Sequence, residues 1–187
     1  MAETNQPFLT DVKEIQRRAR QQIEQGAVTP DYQGDLNTAI RLLNEALATE
    51  IVCNLRYRQH YYMAVGIHYL SVADEFMEHA NEELQHAGWL AERIRQLNGR
   101  PNLNPEGLLL RSHAQFAEGE TLSEMIKEDL IAERIAIETY REIVLWFGEK
   151  DSTSRRLMER ILEKEEEHAD DLATLLQQLA EPRPTLQ

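Results

Sequence analysis

Two short units, Glu83-x-x-His86 and Glu165-x-x-His168, constrain this chain more than any other feature. Residues three apart on an α-helix lie on one face, so each unit can turn a carboxylate and an imidazole toward the same point. Each is preceded by an amphipathic stretch whose apolar stripe is interrupted by a glutamate, Glu50 in the first half and Glu133 in the second. Glu50 lies 33 residues before Glu83, and Glu133 lies 32 before Glu165, so the two halves repeat almost position for position. In a chain with 33 acidic residues a lone Glu-x-x-His is usually a surface hydrogen-bonded pair. Two at matched positions, each with an upstream glutamate in an apolar face, predict a pseudo-twofold metal site between four helices. A carboxylate in an apolar stripe is costly unless it is protonated, paired or metal-bound.

The periodicity predicts an all-α chain in three parts: an N-terminal extension with a short helix (1–34), a four-helix bundle (35–180) and a tail (181–187). Phe8, Val12, Ile15, Ala19 and Ile23 predict a helix over 8–25 that Gly26 stops. A long helix capped near Asp35 follows over about 36–65, with Leu36, Ala39, Ile40, Leu43, Ala46, Leu47, Cys53 and Tyr57 on the stripe that holds Glu50. Ser71-x-x-Asp74 predicts the cap of a second long helix that ends near Asn98-Gly99-Arg100-Pro101. The connection from Asn98 to Glu120 is rich in Pro, Gly and Asn and long enough to cross the length of a bundle. Thr121-x-x-Glu124 is a capping box for the third long helix, to Phe147, and the fourth begins near Ser152 and ends before Pro182. The prolines of the tail exclude a further regular helix there.

Glutamate and histidine together suit hard, redox-active first-row ions, and carboxylates bridge two cations while offsetting their charge. One Glu from each of two helices and a Glu-x-x-His from each of the other two is the pattern of carboxylate-bridged di-iron and di-manganese bundles. Tyr57 lies two turns beyond Glu50 on the same face, where it can pack, bond a site carboxylate or pass an electron. His60, His68, His79 and His113 lack this framing and read as surface or structural, although His79 lies one heptad before His86 and can approach the site. Trp89 and Trp146 read as packing residues.

The formal charge of −13 disfavours nucleic acid as a partner, despite the local basic cluster of Arg17, Arg18 and Arg20. The single cysteine, Cys53, excludes an internal disulfide or a Cys-x-x-Cys metal site and reads as a buried thiol. No signal-peptide pattern and no membrane-length apolar run is present, so a cytoplasmic protein with no membrane partner is expected.

Leu43 to Glu50, the turn Gly99-Arg100-Pro101-Asn102-Leu103, Asp129 to Glu133 and Glu165-Glu166-Glu167-His168 resemble segments of the ferritin-like superfamily, nearest its bacterioferritin and Dps-like branch, over about 35–180. The resemblance implies a ferritin-like four-helix bundle with a long crossover between its second and third helices. It also implies a di-iron centre liganded by Glu50, Glu83, His86, Glu133, Glu165 and His168, with Tyr57 beside it. The implied activity is that of a ferroxidase: Fe(II) is oxidised by O2 or H2O2 and the Fe(III) product is stored in a homo-oligomeric shell. Manganese on the same ligands, as in a manganese catalase or another di-metal peroxide-consuming enzyme, is the alternative. The sequence departs from the family where bacterioferritins carry a haem-binding methionine: that position is Leu84, so haem is not expected there. A tail without the family's fifth helix favours twelve subunits over twenty-four. The ligands belong to one bundle, and DNA binding through a basic tail, as in some Dps proteins, is not expected.

Overall fold

In a computed structural model that describes residues 11–64 and 70–180, the bundle is made of four long helices, α2 (Leu36–Met63), α3 (Leu70–Gln96), α5 (Leu122–Phe147) and α6 (Ser152–Ala180). Two short helices accompany them, α1 (Val12–Ala19) ahead of the bundle and α4 (Leu108–Arg111) within the crossover. All regular elements among the described residues are helical.

The caps explain most of the boundaries. The Asp35 carboxylate accepts from the backbone N–H groups of Asn37 and Thr38 and starts α2. At α5 the capping box is complete: Thr121 accepts from the Glu124 N–H, and the Glu124 carboxylate accepts from the Thr121 N–H. Asp151 accepts from Ser154 N and Oγ at 2.9 and 2.6 Å and caps α6. Gly148, at φ 48°, takes the left-handed turn that ends α5. Ser71 does not act as the expected cap, because α3 already includes Leu70. The first helix is also shorter than expected: α1 ends at Ala19, Gln22 adopts φ 50°, and Ile23–Gln25 form a separate 3-10 turn. The apolar spacing spans that break, but a left-handed residue interrupts the helix and Ile23 stays exposed. Phe8, Gly66, His68 and the tail 181–187 lie outside the described residues.

Helices α2 and α3 form one hairpin and α5 and α6 the other, with α2 also against α5 and α3 against α6. The crossover lies along α2, as a series of hydrogen bonds shows. Asn44 bonds Arg100 O at 3.3 Å and Asn102 N at 2.7 Å, and Thr49 Oγ1 accepts from His113 N at 3.0 Å. Farther on, Arg56 reaches Gln115 O at 2.8 Å and His60 reaches Glu118 O at 2.5 Å. From residue 44 to residue 60 at about 1.5 Å per residue the crossover covers roughly 24 Å of helix. The extension seats on one end of the bundle: Asn98 donates to Gln25 O at 2.9 Å and Tyr32 OH donates to Asp151 at 2.9 Å. Arg17 and Arg18 of its basic cluster pair with Glu14, and Arg18 also with Asp31.

Two apolar clusters fill the bundle. One, built around Leu43, Leu47, Leu90, Ile94, Phe147, Met158 and Ile161, occupies the end near the α5–α6 turn. The other, around Tyr57, Phe76, Met125, Ile126 and Leu172, occupies the opposite end. Between them, in sequence order on every long helix, fall Glu50, Glu83 and His86, Glu133, and Glu165 and His168.

Candidate metal centre

The six side chains anticipated from the repeat converge. Glu50, Glu83, His86, Glu133, Glu165 and His168 are all within 1% of complete burial, with α2, α3, α5 and α6 each contributing. Their donor atoms fall into two quartets, Glu50–Glu83–His86–Glu165 and Glu83–Glu133–Glu165–His168, and within each quartet the atoms lie within 4.8 Å of one another. Glu83 and Glu165 belong to both. The glutamates of the two Glu-x-x-His units therefore sit in the middle as shared carboxylates, while Glu50 with His86 and Glu133 with His168 stand at the two outer ends.

The contacts show atoms aimed at common centres rather than at each other. His86 Nδ1 lies 3.0 Å from Glu50 Oε2 and 3.0 Å from Glu165 Oε1, and His168 Nδ1 lies 3.2 Å from Glu83 Oε1 and 3.5 Å from Glu165 Oε2. Despite this crowding, Glu83 Oε1, Glu133 Oε2, Glu165 Oε1 and His168 Nδ1 are buried without a hydrogen-bond partner. Orphaned buried polar atoms are rare in folded proteins, and four at one centre suit a cation or shared protons. His168 is already oriented for one: its Nε2 lies 2.7 Å from Glu82 Oε2, so Nε2–H donates outward and Nδ1 turns its lone pair inward.

The electrostatics agree. Burial, then the charges of the neighbouring glutamates, push Glu83 and Glu165 well above the ordinary carboxylate range. Burial acts the same way on Glu50, but its hydrogen bond and charge interaction with His86 outweigh it and hold this carboxyl below the ordinary value. Carboxylates split in this way bind a proton or a metal ion at the two shared positions.

Tyr57 stands where its spacing suggested, fully buried, with its hydroxyl donating to Glu133 Oε1. Its mirror image went unrecognised in the sequence: Tyr140 OH donates to Glu50 Oε1. Tyr140 follows Glu133 by the same seven residues that separate Tyr57 from Glu50, so the twofold repeat already contained that signal. Burial, then the carboxylate each one faces, holds both phenols well above their ordinary range, so both remain donors.

A second buried group was also missed. Asp129, wholly buried, accepts from Arg56 Nε at 2.7 Å and from His60 Nδ1 at 2.7 Å, tying α5 to α2 one turn from Glu133. His60 is thus structural and buried, and His113 is a half-buried partner of Thr49 at 3.1 Å. His79 does approach the centre: it stacks on His168 with ring centroids 4.0 Å apart, and its Nδ1 lies 3.3 Å from Tyr57 OH. Trp89 packs beside His86, under the Arg160 guanidinium, whereas Trp146 packs edge-on against Phe147 and is 37% exposed. Cys53 is a buried thiol, pushed well above its ordinary range by burial.

Comparison with known proteins agrees with this architecture. Residues 40–181 match the ferritin-like domain family. A bacterioferritin of Mycobacterium leprae is 34% identical over 145 residues, which span 77% of this chain and 86% of that protein. A dodecameric thioferritin from Bacteroides fragilis, described as bacterioferritin-related, superposes with a TM-score of 0.75 at 32% identity, over 79% of this chain and 89% of that one. Dps from Thermosynechococcus elongatus shares the fold, with a TM-score of 0.73 at 20% identity over 81% of this chain and 96% of that one. With more than two thirds of its length matched, the chain belongs to the ferritin-like family, among relatives of the bacterioferritins.

Proposed function

We propose that this protein stores iron in a homo-oligomeric shell and acts as a ferroxidase, with Glu50, Glu83, His86, Glu133, Glu165 and His168 holding two Fe(II) ions as substrate. The observation that carries this reading is the set of four orphaned donor atoms at a buried centre built twice over, with Glu83 and Glu165 shared between the halves. Four carboxylates and two imidazoles around a pair of cations favour the trivalent product, because each added positive charge is met by carboxylate already in place. O2 or H2O2 takes the electrons, and the apolar clusters on either side keep bulk water from the pair.

This chain's residues have distinct parts in that scheme. Glu83 and Glu165 give up protons as the cations enter and then bridge them. Tyr140 and Tyr57 hold the outer carboxylates Glu50 and Glu133 in place by donating to one oxygen of each. Tyr57 is also positioned to pass an electron to the pair through Glu133. Haem has no place in this reading: Leu84, 53% exposed beside Glu83, carries no ligating atom. The shell is read as twelve subunits rather than twenty-four, supported by the dodecameric relative, and as cytoplasmic. No described helix is long and apolar enough to cross a membrane.

Stopped-flow oxidation of Fe(II) by wild type and by Glu133→Ala tests the assignment. Fast oxidation in wild type that falls to the uncatalysed rate in the variant is expected. Equal rates in the two proteins would remove the catalytic role of the site. Rapid disproportionation of peroxide by manganese-loaded protein, with no uptake of iron, would replace ferroxidase by catalase chemistry. Native mass measurement of the assembly reads the subunit count directly.

A further inference from the structure

One face of His79 is left unexplained by packing. Its side chain is 2% exposed, and it lies between Tyr57, edge-on at 5.3 Å, and His168, stacked at 4.0 Å. Its Nδ1 lies 3.3 Å from Tyr57 OH, whose proton goes to Glu133. Its Nε2 makes no hydrogen bond among the described residues. Two carboxylates face it: Glu75 Oε1 at 3.5 Å, one helical turn earlier on α3, and Asp171 Oδ2 at 3.8 Å, on α6. Both distances exceed the roughly 2.7–3.2 Å of an N–H···O hydrogen bond.

One buried imidazole nitrogen and two carboxylates converging without hydrogen-bonding one another have the arrangement of cation ligands. Their donor atoms lie within 4.8 Å of one another, as in each half of the main centre. We propose that Glu75, His79 and Asp171 form a third metal site, selective for a divalent first-row ion, on the solvent side of the buried pair. Unlike the six ligands of the pair, two of its members are open to water: the side chains of Glu75 and Asp171 are 34% and 46% exposed. The imidazole favours a first-row transition ion over magnesium or calcium, which prefer all-oxygen shells. On the ferroxidase reading above its natural occupant is Fe(II), held one stacked imidazole away from His168. The site itself does not depend on that reading.

Zinc, which is redox-inert, is the probe. Crystals of the full assembly soaked in Zn(II) are expected to show an anomalous peak about 2.0–2.1 Å from His79 Nε2. Equilibrium dialysis is expected to show one zinc per chain lost in the Glu75→Gln/Asp171→Asn variant, whose isosteric changes at partly exposed positions leave the core untouched. A wild-type map without a peak at Nε2, or an unchanged zinc count in the variant, overturns the site. Failure of the di-iron reading would look different: no peak between His86 and His168, with the His79 position filled.

Discussion

Stripping metal from this protein should destabilise it, and more so as the pH rises. Within each quartet the glutamate oxygens lie no more than 4.8 Å from one another. Two such charges repel by at least about 3 kcal/mol at an effective dielectric of about 20. One such pair rivals a large part of the roughly 5–15 kcal/mol that stabilises a typical domain. Without cations the centre therefore keeps protons on Glu83 and Glu165, whose burial and like-charged neighbours raise them well above the ordinary value of 4.5. The direction follows from that rise. A group raised in the folded state contributes stability that is fully present below its unfolded value and is lost as the pH climbs through the folded one. Metal-free protein thus weakens as the pH climbs above the ordinary carboxylate value of 4.5. Metal takes the place of the protons and removes the loss. Zinc at a hundredfold over its dissociation constant adds about 2.7 kcal/mol. For a chain of this size that corresponds to a rise of roughly 5–10 °C in Tm near pH 8, and to a smaller rise near pH 5. Calorimetric scans of metal-free and zinc-loaded protein at both pH values measure the difference. Titration calorimetry in two buffers of different ionisation enthalpy counts the protons released. An equal Tm rise at both pH values, or metal binding without proton release, would refute the argument.

Two further outcomes concern the groups around the centre. Arg56→Ala leaves the fully buried Asp129 without its guanidinium partner and should cost about 3–5 kcal/mol in urea denaturation, the usual penalty for breaking a buried pair. A loss under about 1 kcal/mol would show that His60 alone satisfies Asp129. Tyr57→Phe and Tyr140→Phe each remove the donor to one outer carboxylate, so each should lower the stability of metal-free protein by about 1–3 kcal/mol, and by similar amounts. In freeze-quenched iron oxidation, a tyrosyl radical signal lost in Tyr57→Phe but kept in Tyr140→Phe would assign the electron path to Tyr57, and a signal unchanged in both would exclude it.

Much of this architecture is legible in the residues. A helix places i and i+3 on one face whatever surrounds it, so the two Glu-x-x-His units, their upstream glutamates and the twofold repeat could be read directly. Capping is equally local, which is why Asp35 and Thr121-x-x-Glu124 stand where their patterns put them. Local signals failed where the chain had an alternative. The apolar spacing through Ile23 ran past a left-handed Gln22, and Ser71 proved to lie inside its helix.

What the sequence by itself determined is which residues share a face of each helix, because that depends only on helical geometry. How one helix registers against another is set by the packing of the apolar clusters at either end, and no single-helix periodicity contains it. That register makes Glu83 and Glu165 the shared pair rather than Glu50 and Glu133, and it brings Tyr140 to Glu50 and Glu82 to His168. It also brings Asp171 of α6 to His79, an unframed histidine in the sequence. Tertiary structure alone decided these partnerships, since each joins atoms on different helices whose relative positions are fixed only when the core closes.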